Sequence, residues 1–294
     1  MTIHEYDTFK SLVAMNQEHL LATMDIILRK KYKKVITTED YIIAEGDIPV
    51  GLVAHLDTVY SFPAREVYKD EKAQVIWSSD GLGADDRAGV LAIISVIADT
   101  REYRPWIFLT TNEEHGGIGA SILAEEIEEI PPIKFLIELD RAGKDDCVFY
   151  DCGNVDFQKY IEKFGFKTQK GSFSDISFIM PVWNICGVNL SIGYEDEHTL
   201  AERLYIKHWD ETVRKVKHIL SQEHFPTFEF IYDNEIYSTC SRCHKTFYSF
   251  ETIPIEKENF CIDCAVKYVD WCKECGQPYL FGKKCKCTGV KENV

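Results

Sequence analysis

The chain has 294 residues, of which 45% are hydrophobic and 28% are charged, and its formal net charge is −15. This content can form one full-sized core plus a smaller module, and it excludes an intrinsically disordered chain. The acidic balance argues against a general affinity for nucleic acid or anionic membranes, because a phosphate-binding surface needs an excess of cations. No stretch is apolar enough to predict a membrane span.

The predicted elements begin with one amphipathic helix, in which apolar residues recur at helical spacing from 7 to 29. Strand-like and helix-like segments then alternate. The predicted strands are 34–37, 41–44, 50–55, 74–77, 106–111, 135–139 and 186–191. The predicted later helices are 86–98, 119–129, 155–164 and about 200–221. This order predicts an α/β fold, a three-layer sandwich whose central sheet is mixed but mostly parallel and is flanked by helices.

The composition divides the chain into three segments. Residues 1–225 carry the alternating pattern, 226–238 are predicted to be a linker, and 239–294 hold eight of the eleven cysteines. The first ten residues include acidic ones and show no apolar run after basic residues, so we do not expect a secretory signal. In a chain without such a signal, closely spaced cysteine pairs indicate metal binding rather than disulfides, and we expect a cytoplasmic protein.

Five short segments rich in acids or histidine follow predicted strands or loops. The first contains His55 and Asp57, which point to the same face of a strand, so that Asp57 can orient the imidazole while its other nitrogen binds a metal. An exposed strand end is the alternative. The second contains Asp85 and Asp86, which follow glycines and precede a helix; ordinary helix capping explains one of these acids but not both.

The third segment contains Glu113 and Glu114, directly after an apolar strand. Because consecutive side chains at a strand end point apart, one glutamate can bind a metal while the other transfers a proton. A solvated pair of charges is the alternative. The fourth segment places Asp140 at the end of a strand, and the fifth places His198 before the last helix. Together the segments contain nitrogen and oxygen ligands that zinc accepts, with enough carboxylates for two ions.

These five segments, in this order, resemble the co-catalytic two-zinc peptidase superfamily, which includes peptidase T, the aminoacylases, carboxypeptidase G-like enzymes and the bacterial zinc aminopeptidases. Residues 55–59, 83–89 and 113–114 look closest to the peptidase T branch. The resemblance covers roughly residues 1–221. It implies a zinc peptidase fold and a hydrolase of exopeptidase type that cleaves amide bonds in small peptides or N-acyl amino acids.

The resemblance also implies roles for individual residues. Two catalytic zinc ions, with manganese or cobalt as alternatives, would be bound by His55, Asp85, Glu114, Asp140 and His198. Asp85 would bridge the two ions and would be joined to Asp86 by a cis peptide bond. Asp57 would orient His55. Glu113 would be the general base that takes a proton from the attacking water and passes it to the leaving amine.

The pattern departs from the peptidase T branch in one respect. Those enzymes usually carry a lid or dimerisation domain between the fourth and fifth ligand segments, whereas Asp140 and His198 are only 58 positions apart. We therefore expect a lidless site whose substrate contacts differ from those of the branch. The candidates for these contacts are Arg141, His115, Ser172, Ser174 and Asp175. A structural ion pair is the alternative for Arg141, and a loop or capping role is the alternative for Asp175.

The C-terminal segment has two cysteine pairs with the spacing of a zinc ribbon, Cys240-x2-Cys243 and Cys261-x2-Cys264. A second set with a tighter final pair consists of Cys272, Cys275, Cys285 and Cys287. We therefore expect one or two structural zinc ions. Because four thiolates leave no open coordination position, the module is not expected to be catalytic. Packing on the catalytic domain, self-association and binding of a protein partner are its predicted roles.

Two functions are compatible with these features. The first is the zinc-dependent hydrolase. The alternative is a recruitment protein, in which the zinc ribbon contacts protein or nucleic acid and the hydrolase fold is weak or inactive. The complete set of five ligands together with Glu113 favours the hydrolase, because an inactive relative is expected to have lost at least one of them.

Overall fold

A computed structural model describes residues 1–99, 103–233, 237–248, 251–255, 258–273 and 278–283. The chain divides into two compact units, Met1–Ile231 and Tyr232–Val294. In the described ranges, no helix has the length and the apolar character needed to cross a membrane.

The first unit alternates strands and helices as the sequence predicts. Its helices are α1 (Ile3–Val13), α2 (Gln17–Arg29), α3 (Ala84–Asp99), α4 (Ile118–Glu126), α5 (Val155–Glu162), α6 (Asp175–Trp183) and α7 (Ile206–Leu220). Its strands are β1 (Val35–Thr37), β2 (Tyr41–Ala44), β3 (Val50–His55), β4 (Tyr68–Asp70), β5 (Val75–Trp77), β6 (Trp106–Thr110), β7 (Phe135–Arg141), β8 (Asp146–Val148), β9 (Lys167–Thr168), β10 (Cys186–Ser191), β11 (Tyr194–Glu195) and β12 (Arg203–Tyr205).

Eight of these strands form the central sheet, in the order β1-β2-β6-β3-β7-β10-β8-β9. The four central strands β6, β3, β7 and β10 are parallel, while β2 and β8 join them in antiparallel fashion. Helix α3, with α1 and α7 packed on it, covers one face, and α6 with α4 covers the other. The central strands are buried on both sides, which explains their continuous apolar runs. The predicted three-layer α/β architecture is confirmed.

Two predicted helices differ from the structure. The opening segment forms two helices instead of one, because the Asn16 side chain accepts a hydrogen bond from the amide of His19 and so begins α2. In the last predicted helix, residues 203–205 form strand β12, which pairs with β5, and α7 begins only at Ile206. Helical spacing of apolar residues alone reveals neither the cap nor the strand pairing.

The first residues of the segment predicted to be a linker, 226–238, contact the first unit. The rings of Phe225 and Phe228 lie 6.3 and 6.4 Å from the ring of Phe135, measured between centroids. Further along, the amide of Gly153 donates a 2.7 Å hydrogen bond to the carbonyl of Ile231. Aromatic burial therefore holds the start of this segment in the first unit, and the boundary between the units follows Ile231.

The second unit consists of short hairpins around a small core. Its described elements are β13 (Tyr237–Thr239), β14 (Thr246–Tyr248), β15 (Thr252–Ile255), β16 (Glu258–Cys261), α8 (Ile262–Tyr268), β17 (Val269–Trp271) and β18 (Pro278–Leu280). The buried core cluster contains Ile255, Phe260, Ala265 and Val269. A core of this size rarely stabilises a module without disulfides or a bound metal.

Candidate metal centre

The five predicted ligands lie together at one edge of the central sheet. Strands β6, β3 and β7 are parallel neighbours, so their carboxyl ends meet at this edge. His55 ends β3, Asp140 lies near the end of β7, and Glu114 follows β6. Asp85 lies at the start of α3, and His198 follows β11. The fold thus brings together residues that are up to 143 positions apart (198 minus 55).

Asp85 occupies the middle of the cluster. Its Oδ1 lies 3.0 Å from Nε2 of His55, and its Oδ2 lies 3.1 Å from Nε2 of His198. Asp140 Oδ1 is 3.5 Å from the His55 nitrogen, and Glu114 Oε2 is 3.1 Å from the His198 nitrogen. Each carboxylate oxygen of Asp85 therefore faces a different histidine and acid pair, which is the arrangement a bridging ligand requires. The peptide bond between Asp85 and Asp86 is cis.

The donor atoms suit a divalent metal. Those of His55, Asp85 and Glu114 lie within 4.8 Å of one another, and imidazole nitrogens and carboxylate oxygens are ligands that zinc accepts. Glu114 Oε1 is buried and has no hydrogen-bond partner in the described part of the structure. A buried oxygen without a partner is costly, whereas a bound cation would satisfy it. The residues present therefore fit a metal site.

The carboxylates of the cluster are crowded. Burial raises the pKa of Glu113 to about 9. The negative charges of Asp140, Asp175 and Asp85 also raise this pKa, whereas the charge of His55 lowers it. Burial, followed by the charge of Asp85, also raises the pKa of Glu114 to about 7. Divalent cations stabilise such carboxylates in their ionised forms.

Asp57 connects His55 to the glutamate pair. Its Oδ1 lies 3.2 Å from Nδ1 of His55, and its carboxylate accepts 3.0 Å hydrogen bonds from the amides of Glu113 and Glu114. Burial opposes ionisation of Asp57, but its bonds with His55 and the two amides outweigh burial and lower its pKa. The anionic side chain is therefore placed to leave Nε2 of His55 facing the metal cluster.

Asp86 has a structural position beneath the cluster. Its carboxylate accepts hydrogen bonds from the amides of His55, at 3.3 Å, and Gly89, at 2.9 Å. One of its oxygens also lies within 4.8 Å of donor atoms of His55 and Asp140. A Cβ atom at Gly89 would collide with the carbonyl oxygen of Leu139 and with the Asp86 carboxylate, so this glycine permits the close approach of α3 to β7.

Three residues hold Asp140 in a role that the sequence does not predict. The hydroxyl groups of Ser174 and Tyr194 donate to its carboxylate at 2.9 and 3.0 Å, and its amide donates to the Asn189 side chain at 2.9 Å. These residues come from the start of α6, from β11 and from β10. Only Ser174 had been singled out, and then as a substrate contact. The single sequence contains no spacing that connects these residues to Asp140.

Glu202 also supports the centre, in a role that the sequence does not predict. It is 1% exposed and accepts hydrogen bonds from the amides of Gly83, at 2.7 Å, and Asp85, at 3.0 Å, and from the hydroxyl of Tyr60, at 3.1 Å. Its carboxylate thus holds the loop that presents Asp85. An acid four residues after His198 was an available signal, but it lay in a segment predicted to be a helix.

Replacing Glu202 with Ala is expected to weaken metal binding at this centre by about 10- to 100-fold, because residues that orient ligands typically contribute this much. The measurement is a competition titration with a chromogenic chelator. The exposed Glu223, replaced with Ala, is the control. Unchanged affinity for both ions in the Glu202 variant would contradict the positioning role.

The candidate substrate contacts have different surroundings. Arg141 and Ser172 line a cavity of about 720 Å³, together with Asp85, Glu113, Glu114 and Asp140. The side chain of His115 is 70% exposed and lines a separate cavity of about 200 Å³, with its Nδ1 4.0 Å from Oδ2 of Asp57.

The surroundings of Asp175 do not support its predicted role as a substrate contact. Asp175 is fully buried, its Oδ2 accepts a hydrogen bond from the Thr110 hydroxyl, and it is not among the residues that line the larger cavity. It is the first residue of helix α6. This burial favours a structural role at the helix start over contact with a substrate.

The four cysteines of the predicted ribbon come together in the second unit. Donor sulfurs of Cys240, Cys243, Cys261 and Cys264 lie within 4.8 Å of one another. Sγ of Cys243 is 3.9 Å from Sγ of Cys261. In the second predicted set, Cys272 is described, whereas Cys275, Cys285 and Cys287 lie outside the described residues.

Replacing Cys264 with Ser is expected to remove one zinc equivalent and to unfold the second unit, because a structural zinc contributes about 10–16 kcal/mol of apparent binding free energy to such small modules. Metal analysis and hydrogen exchange of residues 237–283 measure both effects. The matched control is Lys267→Ala, an exposed position in the same helix. Unchanged zinc content and exchange protection in Cys264→Ser would contradict the four-thiolate site.

No protein-family model matches the sequence, and no curated protein matches it. The fold, however, resembles solved structures of peptidases. Aminopeptidase PepT from Bacillus cereus matches over 74% of this chain and 97% of its own, with 16% identity and a TM-score of 0.57. A TET aminopeptidase from a marine-sediment Thaumarchaeota archaeon matches over 76% and 98%, with 13% identity and a TM-score of 0.59.

The TET1 peptidase of Pyrococcus horikoshii, which can assemble into a tetrahedron or a large octahedral shell, matches over 74% of this chain and 98% of its own, with 16% identity and a TM-score of 0.51. At these identities the similarity concerns the fold. The chain therefore shares the peptidase fold that the sequence resemblance predicted.

Proposed function

We propose that this chain is a metal-dependent hydrolase of exopeptidase type that cleaves amide bonds in small peptides or N-acyl amino acids. The main supporting observation is the position of Asp85 between His55 and His198, with Glu113 in the same cavity. The fold similarity to aminopeptidases supports the reaction class. A buried structural metal site would not need this cavity, whose volume of about 720 Å³ suits a small ligand.

The residues present would hold two divalent ions, with zinc as the proposed metal and manganese or cobalt as alternatives. The proposed ligands are His55, Asp85, Glu114, Asp140 and His198. When bound, such ions lower the pKa of water towards neutrality and polarise the scissile carbonyl group. The side chain of His198 is about half exposed, while the other proposed ligands are buried or nearly so, so the centre is accessible from the cavity.

Glu113 is placed to transfer the proton. It lines the cavity, is 8% exposed, and is fixed through its amide, which donates to Asp57. Burial raises its pKa, which makes its carboxylate a stronger base than an exposed glutamate. It would take the proton of the attacking water and donate it to the leaving amine.

The residues between Asp140 and His198 form part of the same sheet and its covering helices. They contain β8, β9, β10, α5, α6 and β11. The described chain therefore contains no inserted lid at this position, and we propose an open site that small substrates enter directly.

We assign the hydrolase to residues 1–225 and a structural zinc to the cysteine cluster of 239–294. The second unit is proposed to contact a protein partner or a second copy of the chain. A reducing compartment such as the cytoplasm would keep its close cysteine pairs available for the metal.

The test is hydrolysis of a panel of dipeptides, aminoacyl amides and N-acyl amino acids by the full-length, zinc-loaded chain. Hydrolysis that depends on Glu113 is the expected result. Full occupancy of the non-cysteine metal sites without turnover of any panel member would contradict the proposal and favour the recruitment function.

A further inference from the structure

From the surroundings of Arg141 we infer that the substrate carries a free carboxylate next to the scissile bond and that the Arg141 guanidinium binds it. This inference rests on the proposed hydrolase function and specifies its substrate class. Dipeptides and other substrates whose leaving amine belongs to an amino acid with a free carboxylate would be preferred over the corresponding amides.

The first observation is that the Arg141 side chain has no hydrogen-bond or ion-pair partner among the described residues. Its Nε is buried and has no hydrogen-bond acceptor within the described residues. No carboxylate of those residues lies within the 4.0 Å of its guanidinium that defines an ion pair. Asp146 lines the same cavity but is not paired with it. A buried donor without an acceptor is unfavourable, and an incoming carboxylate would satisfy it.

Arg87 shows how this fold satisfies an arginine that has a structural role. It is 3% exposed, and its guanidinium donates hydrogen bonds from Nε, Nη1 and Nη2. The acceptors are the carbonyl oxygens of Leu12, Met15, Leu56 and Asp57. Arg141 has no comparable set of acceptors, so a purely structural role does not explain it.

The second observation is the charge of the cavity. Among the described residues that line it, Arg141 is accompanied by no lysine and no other arginine. The three proposed ligand carboxylates and Glu113 carry four negative charges when ionised, which two divalent ions would balance. Arg141 is then the fixed cation available to an anionic group of the substrate. Four further acids, Asp146, Glu195, Asp196 and Glu197, also line the cavity and would repel a substrate with a second carboxylate.

The third observation is position. Arg141 follows Asp140 directly and ends strand β7, so their Cα atoms are about 3.8 Å apart. Its backbone is fixed by the 2.8 Å hydrogen bond from the amide of Ile192 to its carbonyl. Arg141 also lines the cavity that Asp85, Glu114 and Asp140 line, so a carboxylate bound by it would lie in that cavity and would suit a substrate with a short segment beyond the scissile bond.

The test compares alanyl-alanine with alanyl-alanine amide, using the full-length zinc-loaded protein. We expect the free acid to have a kcat/KM about 10- to 100-fold higher, the range expected for a charged hydrogen bond made to a buried group. Arg141→Met should remove this preference by lowering kcat/KM for the acid much more than kcat/KM for the amide. Arg141→Lys, which keeps the charge but loses the planar fork, should give an intermediate ratio.

Arg65→Met, at an exposed position, is the matched control and should retain the wild-type ratio. Hydrolysis of the amide reports on folding, because a misfolded variant would lose both reactions. If Arg141→Met misfolds, the acid-to-amide ratios of kcat/KM in the wild type and in Arg141→Lys test the inference. Equal rates for acid and amide in the wild type would overturn the inference while leaving the hydrolase function intact. Failure to cleave either compound or any other panel member would overturn both.

Discussion

Replacing Glu113 with Gln is expected to lower the rate of amide hydrolysis by about 10²- to 10⁴-fold, the usual contribution of a positioned general base. Gln has nearly the same size and retains a hydrogen-bonding oxygen, but it cannot accept and return a proton. Glu113 is not among the proposed ligands, and its amide contact with Asp57 does not involve the side chain. We therefore expect both metal ions to remain bound.

The measurement is kcat and metal content on the same protein samples. Glu125→Gln, an exposed position on α4, is the matched control and should behave as the wild type. A Glu113→Gln variant that keeps its metals and its full activity would show that another group transfers the proton. A variant that loses metal together with activity would instead make Glu113 a ligand.

Replacing Asp85 with Asn is expected to prevent stable binding of both ions at the centre and to abolish hydrolysis. The two carboxylate oxygens of Asp85 face His55 and His198, whereas an amide provides one oxygen and an NH₂ group that cannot bind a cation. The loss should exceed the about 10- to 100-fold effect expected for Glu202, which acts only by holding the loop.

Metal analysis should show two fewer ions per chain, with the zinc proposed for the cysteine cluster retained. Because a ligand that binds only the folded state stabilises it by about 2.7 kcal/mol at 100 times its Kd, added zinc should raise the thermal stability of the first unit in the wild type but not in Asp85→Asn. Asp80→Asn, an exposed position in the same loop, is the control. Retention of both ions in Asp85→Asn would exclude the bridging role.

Much of the candidate centre could be predicted because its residues belong to short local patterns. His55 and Asp57 occupy alternate positions at a strand end, Glu113 and Glu114 follow an apolar strand, and each pattern can be recognised without knowing the rest of the fold. Since the carboxyl ends of parallel strands meet at one edge of a sheet, their convergence followed from the predicted architecture.

The supporting residues could not be predicted in the same way. Asn189 and Tyr194 contact Asp140 across 49 and 54 residues of sequence, and Glu202 reaches Asp85 across 117. Such contacts depend on which strands pair and on where α6 begins. The burial of Asp175 could not be predicted for the same reason, because a run of small polar residues is compatible with both an exposed loop and a helix start.

The sequence by itself determined the α/β class, the five segments that hold the candidate ligands and the cysteine pairs, since these depend on residue types at short spacing, and the family resemblance implied which residue of each segment is the ligand. Tertiary structure alone decided that Asp85 faces two histidines, that Glu202 holds its loop, and that Arg141 lines the cavity without an internal partner. These properties depend on distances between separate elements, and only the packing of the sheet and its helices sets those distances.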